Sequence, residues 1–530
     1  MELTSYLLGK KASGGSNLQT KSVTVTENGS TTINADEEYD GLSAVNLNTN
    51  VQPDLESKSI TITENTTTTI TPSQDKDGIS SVEVTTNIPT GLEEKDVNFY
   101  DYLGDLKYAY TAQEFQELSE LPAGPTHEDM TFQEWNWQLA EAKTYVTNHG
   151  VLDIGETCVT SDGKTRIYID LEEGELTPAL GLAVNGSVTV DWGDNTTETI
   201  TGSSTTTLVQ TTHNYAKSGE YIITITSSVE FYFIKKTANN TTVSGILLDP
   251  NGIGGTYGTI GTARGYSNCV KAIKLGTYAR IGEYAFCGLI NLKAINIPNN
   301  ITSVGGYAFS NSCGIKKLIF PRNNVTLASY LTQNSQVELI ILSNTITTLP
   351  SSVFTQCSYL KRFYYPSGVT SLNDFMVSGA RIKKIVLPQV TTYNKKGVLA
   401  DNQDVKELKL PNNLQTISVS IFGAVNGVTK IEIPSSVTSI GNNVFENMWG
   451  LSCIKFLGNY TQTFNVGWGA SFVRTVDMRN NTSVPSISSS TQIPTTMKII
   501  VPNDLYDTWI TTGYWTSWVD NIVKASDYAE

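Results

Sequence analysis

The chain has 530 residues, with 36 Lys and Arg against 51 Asp and Glu, and a formal net charge of −15. This length predicts three or four domains rather than one core. The charge disfavours nucleic-acid binding, because an acidic surface gains nothing from counterion release. No window approaches 18 consecutive apolar residues, so we expect no membrane insertion.

Residues 1–20 are expected to form an attachment peptide and a linker. Residues 1–11 could form one short helix, and 13–16 read Ser-Gly-Gly-Ser, which is a flexible linker. A helix this short is marginal alone and needs a partner surface. The alternatives are therefore a frayed terminus and a peptide that docks onto a larger assembly. The lysines follow the short apolar run, which is the wrong order for a secretory signal peptide.

Residues 21–90 contain two similar β repeats, 21–51 and 58–88, offset by 37 residues. Alternating polar and apolar residues around turn residues predict short strands in each repeat. A unit of this size has little core of its own. Either the two repeats pack together or identical chains pack around an axis, and we favour the second arrangement, a trimeric or similar stalk.

Residues 91–160 change in character and predict a small α+β module. Residues 97–111 indicate a hairpin, and Thr111 with Glu114 forms a capping-box pattern that opens a short helix. Thr131 with Glu134 predicts a second helix that ends at Gly150. Four apolar residues recur at helical spacing in this second segment and are expected in the core: Trp135, Leu139, Ala142 and Tyr145.

Residues 161–238 carry the motifs Trp192-Gly193-Asp194, His213-Asn214-Tyr215 and Gly219-Glu220-Tyr221. They resemble the signature of PKD-type immunoglobulin-like sandwiches. That resemblance implies a β-sandwich that serves as a spacer. Asp191 and Asp194 could bind Ca²⁺, but we favour a turn-stabilising role for both carboxylates.

Residues 239–503 predict a solenoid. A strand phrase such as NLKAINIP (291–298) or GVTKIEIP (427–434) recurs every 22 or 23 residues, and such a period is typical of leucine-rich repeats. A second row of large apolar residues runs in step with the strands: Phe286, Phe309, Leu331, Phe354, Met376, Leu399, Phe422, Phe445 and Trp468. Each coil therefore adds one plug to a continuous core that no coil could bury alone.

The phrases IGEYAF (281–286), SVGGYAFSNSCGIKKLIFP (303–321) and IPSSVTSIGNNVF (433–445) resemble BspA-like leucine-rich repeats of bacterial surface proteins and phages. Residues 240–268, rich in Gly and Thr, have no phosphate-loop spacing and are interpreted as an entry coil. Residues 504–530 resemble the C-terminal caps of this repeat class. They are expected to cover the last coil with apolar side chains: Leu505, Trp509, Trp515, Trp518 and Ile522.

Alternation along the strands predicts which solenoid residues point away from the core. In the middle coils these outward positions form an apolar patch with a basic rim, the usual mark of an interaction site. We define this predicted patch by eight residues: Ile319, Leu339, Ile341, Tyr364, Val386, Lys317, Arg362 and Lys384. It could be a receptor face, or it could be covered by another copy of the chain or by the PKD-like domain.

The sequence gives no catalytic constellation, so we expect no enzyme activity, no cofactor and no metal site. The three histidines are His127, His149 and His213, and none lies in a hydrolase or zinc motif. Six cysteines occur without a CxxC spacing and are interpreted mainly as buried thiols. A depolymerase hidden in the repeats is the least favoured alternative.

The fold class expected is therefore multidomain and mainly β. Residues 21–88 and 125–143 also resemble modules of tail-associated proteins in Firmicutes phages and prophages. That resemblance implies a virion tail protein whose N-terminus binds a tail or baseplate component and whose solenoid binds a host-surface receptor, a glycan or a protein. A bacterial surface adhesin and a purely structural virion component are the alternatives.

Overall fold

The structure is a computed structural model of the whole chain. It describes six strands within residues 18–86, and residues 92–528 except 175, 239–240, 249–268, 312–313, 419–420, 465–471, 490 and 492. The expected attachment helix, the 249–268 part of the entry coil, Cys313 and Trp468 lie outside the described residues. The chain divides into two compact units, Met1–Asn98 with Asp105–Thr111, and Phe99–Gly104 with Ala112–Glu530.

The first unit contains the two repeats, each with three strands. The first repeat has strands Leu18–Val25, Thr31–Ile33 and Gly41–Thr49, and the second has Leu55–Ile62, Thr68–Ile70 and Gly78–Thr86. Within each repeat the first strand pairs in parallel with the third. The two middle strands pair antiparallel with each other, so in this chain the repeats are hydrogen-bonded together. This pairing corresponds to the first of the two arrangements that the sequence left open, and the single chain does not test the second.

The α+β module has strands Val97–Tyr100, Leu106–Tyr110, Met130–Trp135 and Leu152–Thr160, and helices Ala112–Glu117 and Leu139–His149. The helix predicted to start at Thr131 is wrong in its first half. Residues 130–135 form a strand that pairs antiparallel with Leu152–Thr160. The helix instead begins after Gln138, which forms a capping box with Glu141, and it ends at Gly150 with φ 73°.

Residues 165–248 form eight strands at the start of the solenoid. They are Thr165–Leu171, Ala179–Asp191, Thr197–Thr212, Gly219–Ser227, Phe231–Phe233, Lys235–Ala238, Thr241–Ser244 and Ile246–Leu248. Six of them join solenoid strands in one 11-stranded sheet. Thr165–Leu171 pairs with Val270–Lys274, and Phe231–Phe233 pairs with Ala279–Ile281. The predicted boundary at 238/239 therefore does not separate two sheets, because the same sheet continues into the repeats.

In the part that the structure describes, the solenoid contains two rows of short strands, and most neighbouring strands of a row pair in parallel. The first row is Val270–Lys274, Ala294–Ile295, Lys317–Ile319, Leu339–Ile341, Arg362–Tyr364, Lys384–Val386, Lys430–Ile433, Cys453–Phe456, Thr475–Asp477 and Lys498–Val501. The second row is Ala279–Ile281, Ser303–Val304, Thr326–Leu327, Thr392–Tyr393, Thr416–Ile417 and Ser439–Ile440. Strands of the first row lie within the predicted strand phrases.

One hydrophobic core runs through the second unit, from Ile167 in the first sheet to Ile522 near the C-terminus. The eight described plug residues, from Phe286 to Phe445, are all buried in it, which confirms the predicted second row. Such stacking buries an apolar face that a single coil would leave in water.

The C-terminal segment closes this core as predicted. It forms the 3₁₀ segments Asn503–Leu505, Gly513–Asn521 and Ala525–Asp527, the helix Tyr506–Thr511 and the strand Ile522–Lys524. The last strand pairs in parallel with Lys498–Val501. Trp509 and Trp515 are fully buried, and the indole of Trp515 donates a hydrogen bond to the Pro485 carbonyl at 2.7 Å.

Candidate functional site

The predicted apolar patch lies under the α+β module. Ile319, Leu339 and Ile341 are buried, with 6%, 4% and 2% of their surface exposed. The Cα of Gly155 approaches Ile319 so closely that a Cβ added to Gly155 would stand 2.2 Å from the Ile319 Cγ2. The side chains point away from the solenoid core, as alternation predicts, and the module covers these three residues.

Three side chains of the module donate hydrogen bonds to carbonyl groups of three consecutive coils. Asn136 Nδ2 reaches the Phe320 oxygen at 3.0 Å, and Trp137 Nε1 reaches the Leu342 oxygen at 2.9 Å. The Tyr145 hydroxyl reaches the Tyr365 oxygen at 2.8 Å. The donors are buried, and burial raises the pKa of Tyr145 well above its usual range, so this hydroxyl keeps its proton. The row of donors fixes the register of the module on the coils.

Two of the three basic rim residues also contact the module. Arg362 forms a two-point ion pair with Asp153 and donates a hydrogen bond to the Tyr100 hydroxyl at 2.6 Å. Lys317 lies 4.1 Å from the centroid of the Tyr100 ring and donates to the Gly104 carbonyl. The two-point contact between Arg362 and Asp153 fixes the geometry of the pair as well as stabilising it. Lys317 and Arg362 thus bind a neighbouring part of the same chain.

The remaining patch residues lie towards the edge of the covered area. Tyr364 and Val386 are partly exposed and Lys384 is exposed. Beyond them the same strand face carries exposed charges of both signs: Glu407, Lys409, Lys430 and Glu432. The apolar part of the face is thus used within the chain, and the accessible part is charged.

A different surface row was missed by the sequence reasoning. Tyr284, Tyr307, Tyr330, Ser352 and Phe375 occupy successive coils, each with φ between 54° and 59°. We call these five residues the aromatic row. A left-handed conformation is uncommon for a non-Gly residue, and its repetition gives these residues a common backbone geometry. The sequence signal was a tyrosine two residues before the plug in YAF (284–286) and again in YAF (307–309).

Three rings of the aromatic row form a stack. The Tyr284 and Tyr307 centroids are 4.6 Å apart at 14°, and those of Tyr307 and Tyr330 are 5.0 Å apart at 13°. Lys235 lies 5.9 Å from the centroid of the Tyr284 ring. Burial and the neighbouring phenols raise the pKa of both Tyr284 and Tyr307, so their hydroxyls are neutral at physiological pH. The tyrosines are partly exposed, and Phe375 is 43% exposed.

The Trp-Gly-Asp turn is organised by its own side chains. Asp191 Oδ1 accepts a hydrogen bond from the Gly193 N–H at 2.9 Å, and Asp194 accepts from the Thr196 N–H and from His213. The desolvation of Asp194 would raise its pKa, but these hydrogen bonds outweigh it and hold the pKa below its usual range. The Tyr215 hydroxyl donates to the Trp192 carbonyl at 2.7 Å. Both aspartates therefore stabilise the turn, as predicted.

Among the described residues, no group of three or more His, Cys, Asp or Glu side chains could hold a metal ion. Within the same residues, no helix combines the length and apolar character needed to cross a membrane. The fold and these surfaces define a leucine-rich-repeat solenoid that carries an α+β module on its strand face.

Comparison with known families agrees with this class. Residues 279–406 and 395–501 match six copies of the BspA type leucine-rich repeat region. This part of the chain is therefore similar to BspA-type repeat regions. No curated protein matches the chain.

Solved structures of leucine-rich-repeat proteins are similar at low identity. A leucine-rich repeat protein from Bacteroides ovatus is 18% identical over 51% of this chain and 71% of its own, with a TM-score of 0.33. One from Eubacterium ventriosum is 16% identical over 44% and 72%, with a TM-score of 0.25. The pneumococcal vaccine antigen PcpA is 16% identical over 56% and 88%, with a TM-score of 0.25.

Proposed function

We propose that the chain is a non-enzymatic phage or prophage tail protein that binds the host bacterial surface through its solenoid. The observation that carries the proposal is the division of the solenoid surface. The module covers the apolar strand face, whereas the charged end of that face and the aromatic row remain accessible. A solenoid with an extended accessible surface suits binding by many weak contacts.

In this proposal each part has a mechanical role. The N-terminus attaches to a tail or baseplate component, the two β repeats form a stalk, the PKD-like sheet is a spacer, and the solenoid is the adhesive tip. The stacked Trp192 and His213 rings, 4.7 Å apart, and the Tyr215 hydrogen bond support the PKD-like interpretation of this sheet. Trimers would place three solenoids at one site, and the avidity would exceed the affinity of one solenoid.

Adhesion is tested by incubating the fluorescently labelled full-length chain with a panel of Firmicutes cells and measuring bound fluorescence. We expect saturable binding to some strains that excess unlabelled chain displaces. Periodate treatment of the cells should abolish binding to a glycan receptor, and protease treatment should abolish binding to a protein receptor. If the chain shows saturable binding to none of the strains in the panel, the adhesive role is contradicted.

The two alternative functions are separated by locating the chain in lysates of its source. Antibody detection in purified phage particles supports the tail protein, and detection in the envelope of uninfected cells supports a bacterial adhesin. A chain found in particles that binds no cells would be a purely structural component. Light scattering of the full chain tests the trimer, and a monomeric mass would exclude a self-assembling stalk.

A further inference from the structure

The aromatic row has a gap that the stacked tyrosines do not fill. Ser352 occupies the coil that follows Tyr330, and Phe375 occupies the coil after it. The backbone N–H of Tyr330 donates to the backbone carbonyl of Ser352 at 3.0 Å, and the backbone N–H of Ser352 donates to the backbone carbonyl of Asp374 at 3.1 Å. The three residues are thus held in consecutive coils by the solenoid backbone.

The width of this gap follows from the spacing of the coils. Neighbouring parallel strands lie about 4.8 Å apart, so two aromatic side chains separated by one serine stand about 9.6 Å apart at the backbone. The Phe375 ring also leans towards the next coil. A Cβ added to Gly397 would meet its Cδ1 and Cε1 at 2.5 Å, so the ring occupies the space that the glycine leaves. The gap above Ser352 is therefore at least two coil spacings wide.

One face of the Tyr330 ring packs on Tyr307, and its other face lies on the side of Ser352. Phe375 is 43% exposed, so part of its ring is accessible to a ligand. Neutral polar groups lie nearby on the same loops. Ser352 occupies the coil between those of Tyr330 and Phe375, and the Gln333 amide donates to the Gln356 amide oxygen at 2.7 Å.

We propose that the gap between Tyr330 and Phe375 is a binding site for one neutral pyranose ring of a surface glycan. Axial C–H groups of a sugar carry partial positive charge and pack on the negative face of an aromatic ring. A flat aromatic group between two rings needs only about 7 Å at carbon–carbon contact distance, whereas a puckered pyranose is thicker and fits the wider gap. The serine and amide groups supply hydrogen bonds to ring hydroxyls.

This inference rests on the proposed adhesive function and names the chemistry of its receptor. The test is saturation-transfer NMR on the full-length chain. The probes are methyl glucopyranoside, methyl galactopyranoside and methyl N-acetylglucosaminide at millimolar concentration. We expect transfer to the ring protons of at least one of these sugars. Wild-type protein that gives transfer to none of the three would overturn the proposal.

Three variants locate the site. Tyr330→Ala and Phe375→Ala each remove one aromatic wall and should weaken sugar binding by about tenfold. Ser352→Phe should fill the gap and abolish binding while leaving the fold intact, because Phe375 already adopts nearly the same φ as Ser352, 54° against 57°. The matched control is Tyr359→Ala, an aromatic that is 50% exposed on the solenoid outside the aromatic row, and it should bind as wild type.

Thermal unfolding of Ser352→Phe checks that loss of binding is not loss of fold. A sugar signal unchanged in Ser352→Phe and Phe375→Ala would overturn the site even if the chain binds sugars elsewhere. Cell binding of the same variants separates the two proposals. If Ser352→Phe binds cells as well as wild type does, the adhesive function stands and this site is not its basis. If the wild-type chain binds a sugar at this site but binds no cells, the site stands and the adhesive function fails.

Discussion

Arg362 on the solenoid and Asp153 on the α+β module form an ion pair with two contacts, Nε to Oδ2 at 2.7 Å and Nη2 to Oδ1 at 3.0 Å. The Asp153 side chain is 3% exposed and that of Arg362 17%. The pair joins residues 209 positions apart in sequence. It therefore reports directly on whether the module sits on the strand face.

Removal of one partner should destabilise the second unit strongly. Arg362→Ala leaves the Asp153 carboxylate buried without its guanidinium, and breaking a buried pair in this way typically costs about 3–5 kcal/mol. Urea unfolding of the full chain measures the loss. The control is Lys361→Ala, at the residue next to Arg362. It removes an exposed ion pair with Glu338 and should cost at most about 1 kcal/mol. Equal losses in the two variants would show that the module does not occupy this face.

Gly155→Ala tests the close approach of the module to the coils. The added Cβ would stand 2.2 Å from Ile319 Cγ2, and overpacking of this kind costs about 1–3 kcal/mol. Ile319→Ala alone should also destabilise the chain, by about 2–5 kcal/mol, because it opens a cavity. The double variant should lose less than the sum of the two, since the shortened side chain makes room for the methyl group. Strict additivity of the free energies of unfolding would indicate that the two residues are not in contact.

The repeat period was enough to predict the solenoid and its plug residues, because each coil repeats the same short-range pattern, whereas the cap was predicted from a resemblance to the caps of this repeat class. The position of the module could not be predicted in this way. Trp137 and Leu342 are 205 residues apart, and nothing local in either segment specifies their hydrogen bond. Strand alternation identified the outward direction of Ile319 and Ile341, but it could not tell solvent from a covering domain. The aromatic row was not predicted, because the direction of its side chains depends on a positive φ rather than on strand alternation.

His149 makes the stability of the module depend on pH. Burial lowers its pKa, and the positive charge of Lys409 lowers it further. In the unfolded chain this histidine becomes protonated near pH 6.5, whereas in the folded chain it stays neutral to a lower pH. Between these two pH values the unfolded state therefore binds more protons than the folded state. Stability should fall as the pH drops below about 6.5 and level off once the folded histidine also becomes protonated.

Melting temperatures of wild type and His149→Gln between about pH 7.5 and pH 5 measure this contribution. Both proteins lose stability from their carboxylates, so the difference between them isolates the histidine. We expect wild type to fall more steeply, and Lys409→Gln to lie between the two. Parallel curves for wild type and His149→Gln would rule out the linkage.

The cysteines should differ in reactivity according to burial. Cys453 is partly exposed, whereas Cys158, Cys269, Cys287 and Cys357 are buried. Desolvation raises the pKa of Cys357 to about 12, so its thiolate is scarce at neutral pH. Because the thiolate is the nucleophile, iodoacetamide should label Cys453 well before these four. Peptide mapping by mass spectrometry identifies the labelled sites, and a denatured sample shows that all react once exposed. Early labelling of Cys357 in the native chain would contradict the packing of its coil.

Loss of the C-terminal cap should destabilise the last coils more than the rest of the chain. Trp515→Ala removes a fully buried indole and its hydrogen bond to Pro485, which should cost about 3–5 kcal/mol. In a solenoid this cost falls first on neighbouring coils, because stability is transmitted between nearest neighbours. Hydrogen exchange should therefore quicken in strands Thr475–Asp477 and Lys498–Val501 and stay slow in Leu152–Thr160. Tyr514→Ala is the control, since that adjacent ring is 57% exposed and should leave exchange unchanged. A uniform rise along the second unit would mean that the cap, the coils and the module unfold as one cooperative block.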